Sequence, residues 1–363
     1  MSKFIKFSLI YCFIFFSLDA SVGKYLYKKF VKKQSVDINT NVWENDEYYD
    51  HKFIKNYDDL AGWGSTRFKL CTDNNRFKIS CSELSKNKKS FDLGFIGDSF
   101  TEGVGLIYEE TYVGQIAKNL KDKSIANLAV SSYSPSVYYT KIKNLLDNNY
   151  TFKEIIVFVD ISDLIDDTLC YKVEKNKITR RKNFDVCYDN FNENKNIIDK
   201  FYKKNLNFTQ LFIKKINTVL IYLNLKKNNI NKEILNNSRS EWTYNYRKEH
   251  FNNQSLEETI KISTDLMYQL SDLLKQNSIK LSLAIFPHPG TLYHDVRDNM
   301  QVKIWKKFCQ TECKNFYNFM DIFFDEFEED FYSSYKKNFI DGDLHFSFNG
   351  SKLIADKFIK DYQ

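Results

Sequence analysis

The stretch Gly94-Phe95-Ile96-Gly97-Asp98-Ser99-Phe100-Thr101-Glu102-Gly103 holds the side chain best placed to do chemistry. Residues 91–96 read as a strand and those after Ser99 as a helix. Ser99 therefore falls at the C-terminal end of a strand, where open α/β sheets place their ligands. Glycines on both sides let the backbone turn tightly and leave the Ser99 Oγ uncrowded. Such a hydroxyl can attack an acyl carbon once a base takes its proton, and imidazole, titrating near neutrality, suits that task. The alternative for Ser99 is a loop serine that caps a helix, because Gly-Asp-Ser is common in turns.

Other polar residues divide by their position on the chain. Asp98, beside Ser99, and His288, in Phe286-Pro287-His288-Pro289 after the fourth expected strand, both lie at strand C-terminal ends. They would line the same pocket, and a plain turn role is the alternative for His288. His51, His250 and His294 have no partner pattern and read as surface residues. Asp160, Asp163, Asp166 and Asp167 do not have the spacing of an EF-hand loop, so they read as solvated carboxylates or a cap on the following helix, with no metal.

The elements that must hold these residues alternate between short apolar runs and helical stretches, the pattern of βαβ units around a parallel sheet. Strands are expected at 91–96, 124–130, 154–160, 280–286 and 315–320. Ser134 before Pro135 marks one helix start, Ser255 with Glu258 makes a capping box for another, and residues 348–362 form a last amphipathic helix. The fold expected is a flavodoxin-like, three-layer α/β/α domain over residues 91–363, with a central parallel sheet of about five strands. A long insertion, about 161–254, follows the third strand and suits a lid. Residues 24–90 are polar, show no strong period and read as an irregular N-terminal cover.

The Ser99 segment resembles block I of the SGNH (GDSL-type) hydrolases, in which Gly-Asp-Ser carries the catalytic serine. The family's later blocks follow in order. Block II resembles Asn127 to Pro135, with Ser132 where the family has the glycine whose N–H helps build the oxyanion hole. Block III resembles Asp160-Ile161-Ser162-Asp163, with Ser162 in place of the oxyanion asparagine, a side-chain donor that can be worth ~3 kcal/mol of transition-state stabilisation. The closing block resembles Asp343-Leu344-His345, an Asp-x-His spacing similar to that of glycan O-acetyltransferases, with Gly342 where the commoner form has its aspartate. The resemblance implies Ser99 as nucleophile, His345 as base and Asp343 as the carboxylate that orients it. It also implies an oxyanion hole from the N–H groups of Ser99 and Ser132 with the Ser162 hydroxyl, and no cofactor.

Lys3 and Lys6 precede an uncharged apolar run of 12 residues, 7–18, which matches the core of a secretory signal and falls short of the ~20 residues that span a bilayer comfortably. Residues 1–23 thus read as a signal peptide or, if uncleaved, an N-terminal membrane anchor. Outside that run remain Cys71, Cys81, Cys170, Cys187, Cys309 and Cys313, an even number in a chain expected to leave the cytosol. Sequence proximity favours Cys71 with Cys81, Cys170 with Cys187, and Cys309 with Cys313; free thiols are the alternative. The net charge of +6 is spread thinly, without the clustered stripe of a nucleic-acid binder. Together these point to an extracytoplasmic serine esterase or acyltransferase whose partner is an acylated, and more narrowly acetylated, carbohydrate or cell-envelope polymer. Two alternatives stay open: a lipase or thioesterase acting on small acyl esters, and a non-catalytic carbohydrate-binding or envelope assembly protein that keeps the fold.

Overall fold

The computed structural model describes residues 3–23, 25, 42–64, 66–84, 88–181, 206, 208–209, 216, 230, 232–327 and 330–362. The chain forms two units, 1–38 with 192–229 and 39–191 with 230–363. In the first, the apolar run lies within a helix, Lys3–Leu18, of 16 residues. Among the described residues no helix is long and apolar enough to cross a membrane. Just beyond that helix, buried Asp19 accepts the N–H groups of Phe208 and Thr209 and the Thr209 hydroxyl.

The second unit carries eleven described strands: β1 (Trp43–Asp46), β2 (Asp50–Phe53), β3 (Asp58–Trp63), β4 (Thr66–Cys71), β5 (Ser90–Ile96), β6 (Ile125–Asn127), β7 (Thr151–Val159), β8 (Tyr171–Glu174), β9 (Lys177–Arg180), β10 (Lys280–Ile285) and β11 (Phe316–Asn318). Five of them make one sheet in the order β6-β5-β7-β10-β11. Every pairing in it is parallel. Counted along this sheet the order is 2-1-3-4-5, the flavodoxin-like arrangement, whose switch point lies between β5 and β7. β5 ends at Ile96, three residues before Ser99.

A strand turns successive side chains to opposite faces, so apolar residues at every position bury both faces of a sheet. In β7, Ile155, Val157 and Val159 enter one core with Tyr138 and Ile142 of the helix Pro135–Asp147 and Leu270 and Leu274 of the helix Leu256–Gln276. Ile156 and Phe158 enter the other core, with Tyr112 and Ile116 of the helix Tyr112–Asn119 and Ile354 and Phe358 of the helix Phe348–Tyr362. The result is three layers. The Ser255 capping box forms with both of its reciprocal bonds. At the Pro135 helix, Ser134 is the N-cap, but its hydroxyl turns to Asp167, whose Oδ1 also takes the Ser136 N–H.

The sequence reading needs one correction here. The segment read as an irregular cover contains two antiparallel hairpins, β1–β2 and β3–β4. These strands are only 4–6 residues long; the first three show no alternation, and β4, with Phe68 and Leu70 buried next to Arg67 and Lys69, alternates too briefly to stand out. The start of the insertion is a third hairpin, β8–β9, whose Ile178 N–H bonds to the Tyr48 carbonyl in the β1–β2 loop. Residues 182–205 of the insertion, with Cys187, lie outside the described residues.

Candidate active site

Ser99 opens a single helical turn, Ser99–Glu102. Asp98 caps it, with Oδ1 accepting the Phe100 N–H at 3.0 Å. Gly103 ends it at φ +73°, a left-handed conformation that glycine adopts without steric cost. Gly97 is needed for space, because a Cβ there would meet Thr101 Oγ1 at 2.1 Å. Ser99 is half-buried, and its Oγ lies 2.8 Å from His345 Nε2.

The opposite nitrogen, His345 Nδ1, lies 2.6 Å from Asp343 Oδ1. Gly342 stands at φ +79° in a turn closed by the Asp343 N–H and the Ile340 carbonyl. That turn requires the residue without a side chain at 342 and leaves Asp343 to face the imidazole. Asp343 Oδ1 also accepts the N–H groups of Leu344 and His345, and Oδ2 accepts the Trp63 indole N–H at 2.8 Å. Burial pushes this carboxyl up, but the hydrogen bond and charge of His345, the backbone N–H and the indole outweigh it. Asp343 is held well below the usual carboxylate range. Trp63 meets the His345 ring edge-on at 4.9 Å and Phe100 lies against it at 4.6 Å, so two aromatic rings pack against the imidazole. Asp341, the other aspartate nearby, is exposed.

Ser132 has φ +63°, the left-handed region that costs a residue with a Cβ about 1 kcal/mol. Among the described residues, nothing accepts the N–H of Ser99 or that of Ser132. The neighbouring Ser131 is pinned: Glu102 Oε2 takes both its N–H and its hydroxyl at 2.7 Å. Glu102 belongs to the same helical turn as Ser99, so the two loops are tied together. Buried Lys78 supports that turn from the cover by donating to the carbonyls of Gly103 and Leu106. Ser162 is committed elsewhere: its N–H donates to Asp160 Oδ1 at 2.6 Å and its hydroxyl helps hold the same carboxylate.

The aspartates read as solvated are all buried, and this is the second correction. Asp160 pairs with His288 Nε2 at 2.6 Å, and the His288 ring stacks on Phe100, so His288 is a buried support below Ser99 and not a turn residue. Asp166 accepts from Arg239 Nη2 on both of its oxygens, and Asp167 takes the hydroxyls of Ser134, Ser136 and Ser263. Asp98, Asp160 and Asp163 bring carboxylate oxygens within 4.8 Å of one another. Burial and then the charge of Asp160 push the carboxyls of Asp98 and Asp163 well up.

Sequence reasoning missed Trp63, His51, Glu102 and Arg239. Only Glu102, one helical turn beyond Ser99, left a local signal. His51 is not a surface residue: its ring nitrogens contact Asp50 Oδ2 and the Ser131 carbonyl. His250 lies 3.2 Å from Glu241 and His294 is 3.1 Å from Asn236, both away from Ser99. Disulfides join Cys71 to Cys81 and Cys309 to Cys313. Cys170 is also disulfide-bonded, and Cys187 lies outside the described residues. A cavity of about 710 Å³, bordered by Ser82, Tyr108, Lys118 and Ser124, has none of Ser99, Asp343 or His345 in its wall.

No family model matches the chain, and no curated protein matches it. Among solved structures it is similar to the psychrotrophic esterase EstA from Pseudoalteromonas sp., in a form inhibited by monoethylphosphonate. The identity is 11% and the TM-score 0.37, over 76% of this chain and 98% of that one. A likeness at that level does not extend to function.

Proposed function

We propose that this protein is a serine esterase or acyltransferase of the SGNH type, with Ser99 as nucleophile, His345 as base and Asp343 as the orienting carboxylate. The observation that carries the reading is the hydrogen-bonded series Ser99 Oγ, His345 and Asp343, together with N–H groups on Ser99 and Ser132 that find no acceptor among the described residues. Ser99 Oγ attacks the ester carbonyl carbon while its proton passes to His345 Nε2, and the carbonyl oxygen becomes an oxyanion facing the two N–H groups. The ester C–O bond then breaks, and His345 gives the proton to the departing alcohol. Water, or an acceptor hydroxyl in a transferase, loses a proton to His345 as it attacks the acyl-serine and frees Ser99. Asp343 keeps the Nδ1–H tautomer and stabilises the imidazolium.

The substrate assigned is an acyl ester, more narrowly an acetyl ester, of an exported carbohydrate or envelope polymer. The Asp-x-His spacing supports the carbohydrate, and the disulfides together with the basic, then apolar N-terminus support a place outside the cytoplasm, by secretion or anchoring. The commitment of Ser162 to Asp160 leaves two backbone donors for the oxyanion, which fits slow turnover on small esters. The test is labelling of the full-length chain with a fluorophosphonate probe beside Ser99→Ala and His345→Ala. Labelling of the wild type alone is expected; equal labelling of Ser99→Ala, or none of the folded wild type, would overturn the reading.

A further inference from the structure

The peptide between Ser131 and Ser132 is held from the side away from its free N–H. His51 Nε2 lies 2.7 Å from the Ser131 carbonyl oxygen, and His51 Nδ1 lies 2.8 Å from Asp50 Oδ2. The Ser131 carbonyl can only accept, so Nε2 is the donor there, and Asp50 orients the ring from Nδ1. Arg180, at the end of β9, grips the same Asp50 carboxylate through Nε at 2.5 Å and Nη2 at 3.0 Å. The Tyr133 hydroxyl donates to the His51 carbonyl, and its ring meets the imidazole edge-on at 5.1 Å. The described residues have no cis peptide bond, so the Ser131 C=O and the Ser132 N–H point in opposite directions. Whatever fixes the carbonyl therefore aims the N–H.

Ser132 at φ +63° needs such a fixture, because flipping this peptide would relieve the strain. Asp50, at the other end of the same series, has φ +77°. Two residues in a conformation unusual for side chains with a Cβ thus bracket one imidazole.

We propose that His51 is a positioning residue that locks the Ser131–Ser132 peptide so that the Ser132 N–H is presented to the oxyanion formed at Ser99. This rests on the serine-hydrolase reading given above. The hydrogen bond that His51 donates also polarises the peptide it holds, which strengthens the N–H as a donor. Through Asp50 and Arg180, the hairpin that opens the insertion bears on the donor as well.

The experiment uses the full-length chain with p-nitrophenyl acetate, measuring kcat, KM and melting temperature. His51→Leu removes the donor, His51→Asn is too short to reach the Ser131 carbonyl, and His51→Gln can still donate to it. The first two are expected to lower kcat 10- to 100-fold with KM within about 3-fold, less than the ~10²- to 10³-fold loss on deleting an oxyanion donor outright. His51→Gln is expected to recover most of that loss. In a Ser132→Gly background, where a positive φ carries no strain, the penalty of His51→Leu should shrink several-fold. A folded His51→Leu or His51→Asn with kcat within 2-fold of wild type would refute the proposal, as would an equal penalty in both backgrounds, which would give His51 a merely structural role. Failure of the underlying reading is distinguishable: the folded wild type would itself turn over no ester and take up no fluorophosphonate at Ser99, and the proposal would fall with it.

Discussion

Asp343 accepts three hydrogen bonds on one oxygen and the Trp63 indole on the other, an arrangement that fixes a carboxylate far more tightly than a surface turn does. Its amide counterpart would keep the shape but present the wrong tautomer to His345. Asp343→Asn should therefore lower fluorophosphonate labelling by about 10⁴-fold with a near-normal melting temperature, while Asp341→Asn should change neither. The reverse pattern would reassign the carboxylate. At this scale the sequence was informative where chemistry is local. Gly97-Asp98-Ser99 and Asp343-Leu344-His345 each declare themselves within a few residues. His51 and Trp63 did not, because their partners lie 80 and 280 residues away and nothing in the intervening chain marks them. The aspartates from 160 to 167 were misread for the same reason: their burial is offset by His288, Arg239 and three serine hydroxyls from distant segments.

The cover is the element whose importance the sequence hid. Its first hairpin, of mostly half-exposed polar residues, has no apolar face to advertise it, whereas the unbroken buried run 155–159 in β7 needs none of its partners to be recognised. The cover nonetheless supplies His51, Trp63 and Lys78 around the site. Its Cys71–Cys81 bridge closes a loop with a sequence separation of 10, a constraint worth roughly 2–3 kcal/mol on the chain-entropy account. Replacing both cysteines by serine should lower stability by about that much in denaturant titration, and turnover should fall with it. Asp73, in the turn between these cysteines, gives a pH test. Burial pushes its carboxyl up to about 6. Between pH ~4 and ~6 the folded state then binds more protons than the unfolded one, so Asp73 subtracts stability as pH rises through that window. Asp73→Asn can still accept the Phe77 N–H that Asp73 Oδ1 takes. It should match wild type near pH 4 and be more stable by about 1 kcal/mol at pH 7.5, as read from urea melts at both pH values. Asp343, with its lowered carboxyl, has the opposite sign: it adds stability above pH ~4, and that contribution is lost as pH falls.

Across the whole molecule, five parallel strands and two aromatic-rich cores bring remote segments to one end of the sheet. The five-stranded parallel sheet was legible because each βα unit occupies its own stretch of sequence; the two-unit division was not, because residues 192–229 group with residues 1–38. The last helix belongs to the core as much as to the site. Phe358 is fully buried against Phe95 at 5.3 Å and Tyr317 at 4.7 Å, so Phe358→Ala should cost about 3–5 kcal/mol in a chemical melt while leaving KM unchanged in the fraction that stays folded. Trp63 and Asp343 are separated by 280 residues. At ribosomal rates of ~5–20 residues per second, roughly 15–60 s pass between the synthesis of one and that of the other. Ser99 is made early in that interval and for the rest of it has no His345 to meet, while the indole waits for its carboxylate. A chain stalled or degraded before Asp343 lacks both Asp343 and His345, so the hydrogen-bonded series on which the proposed chemistry depends cannot form in it.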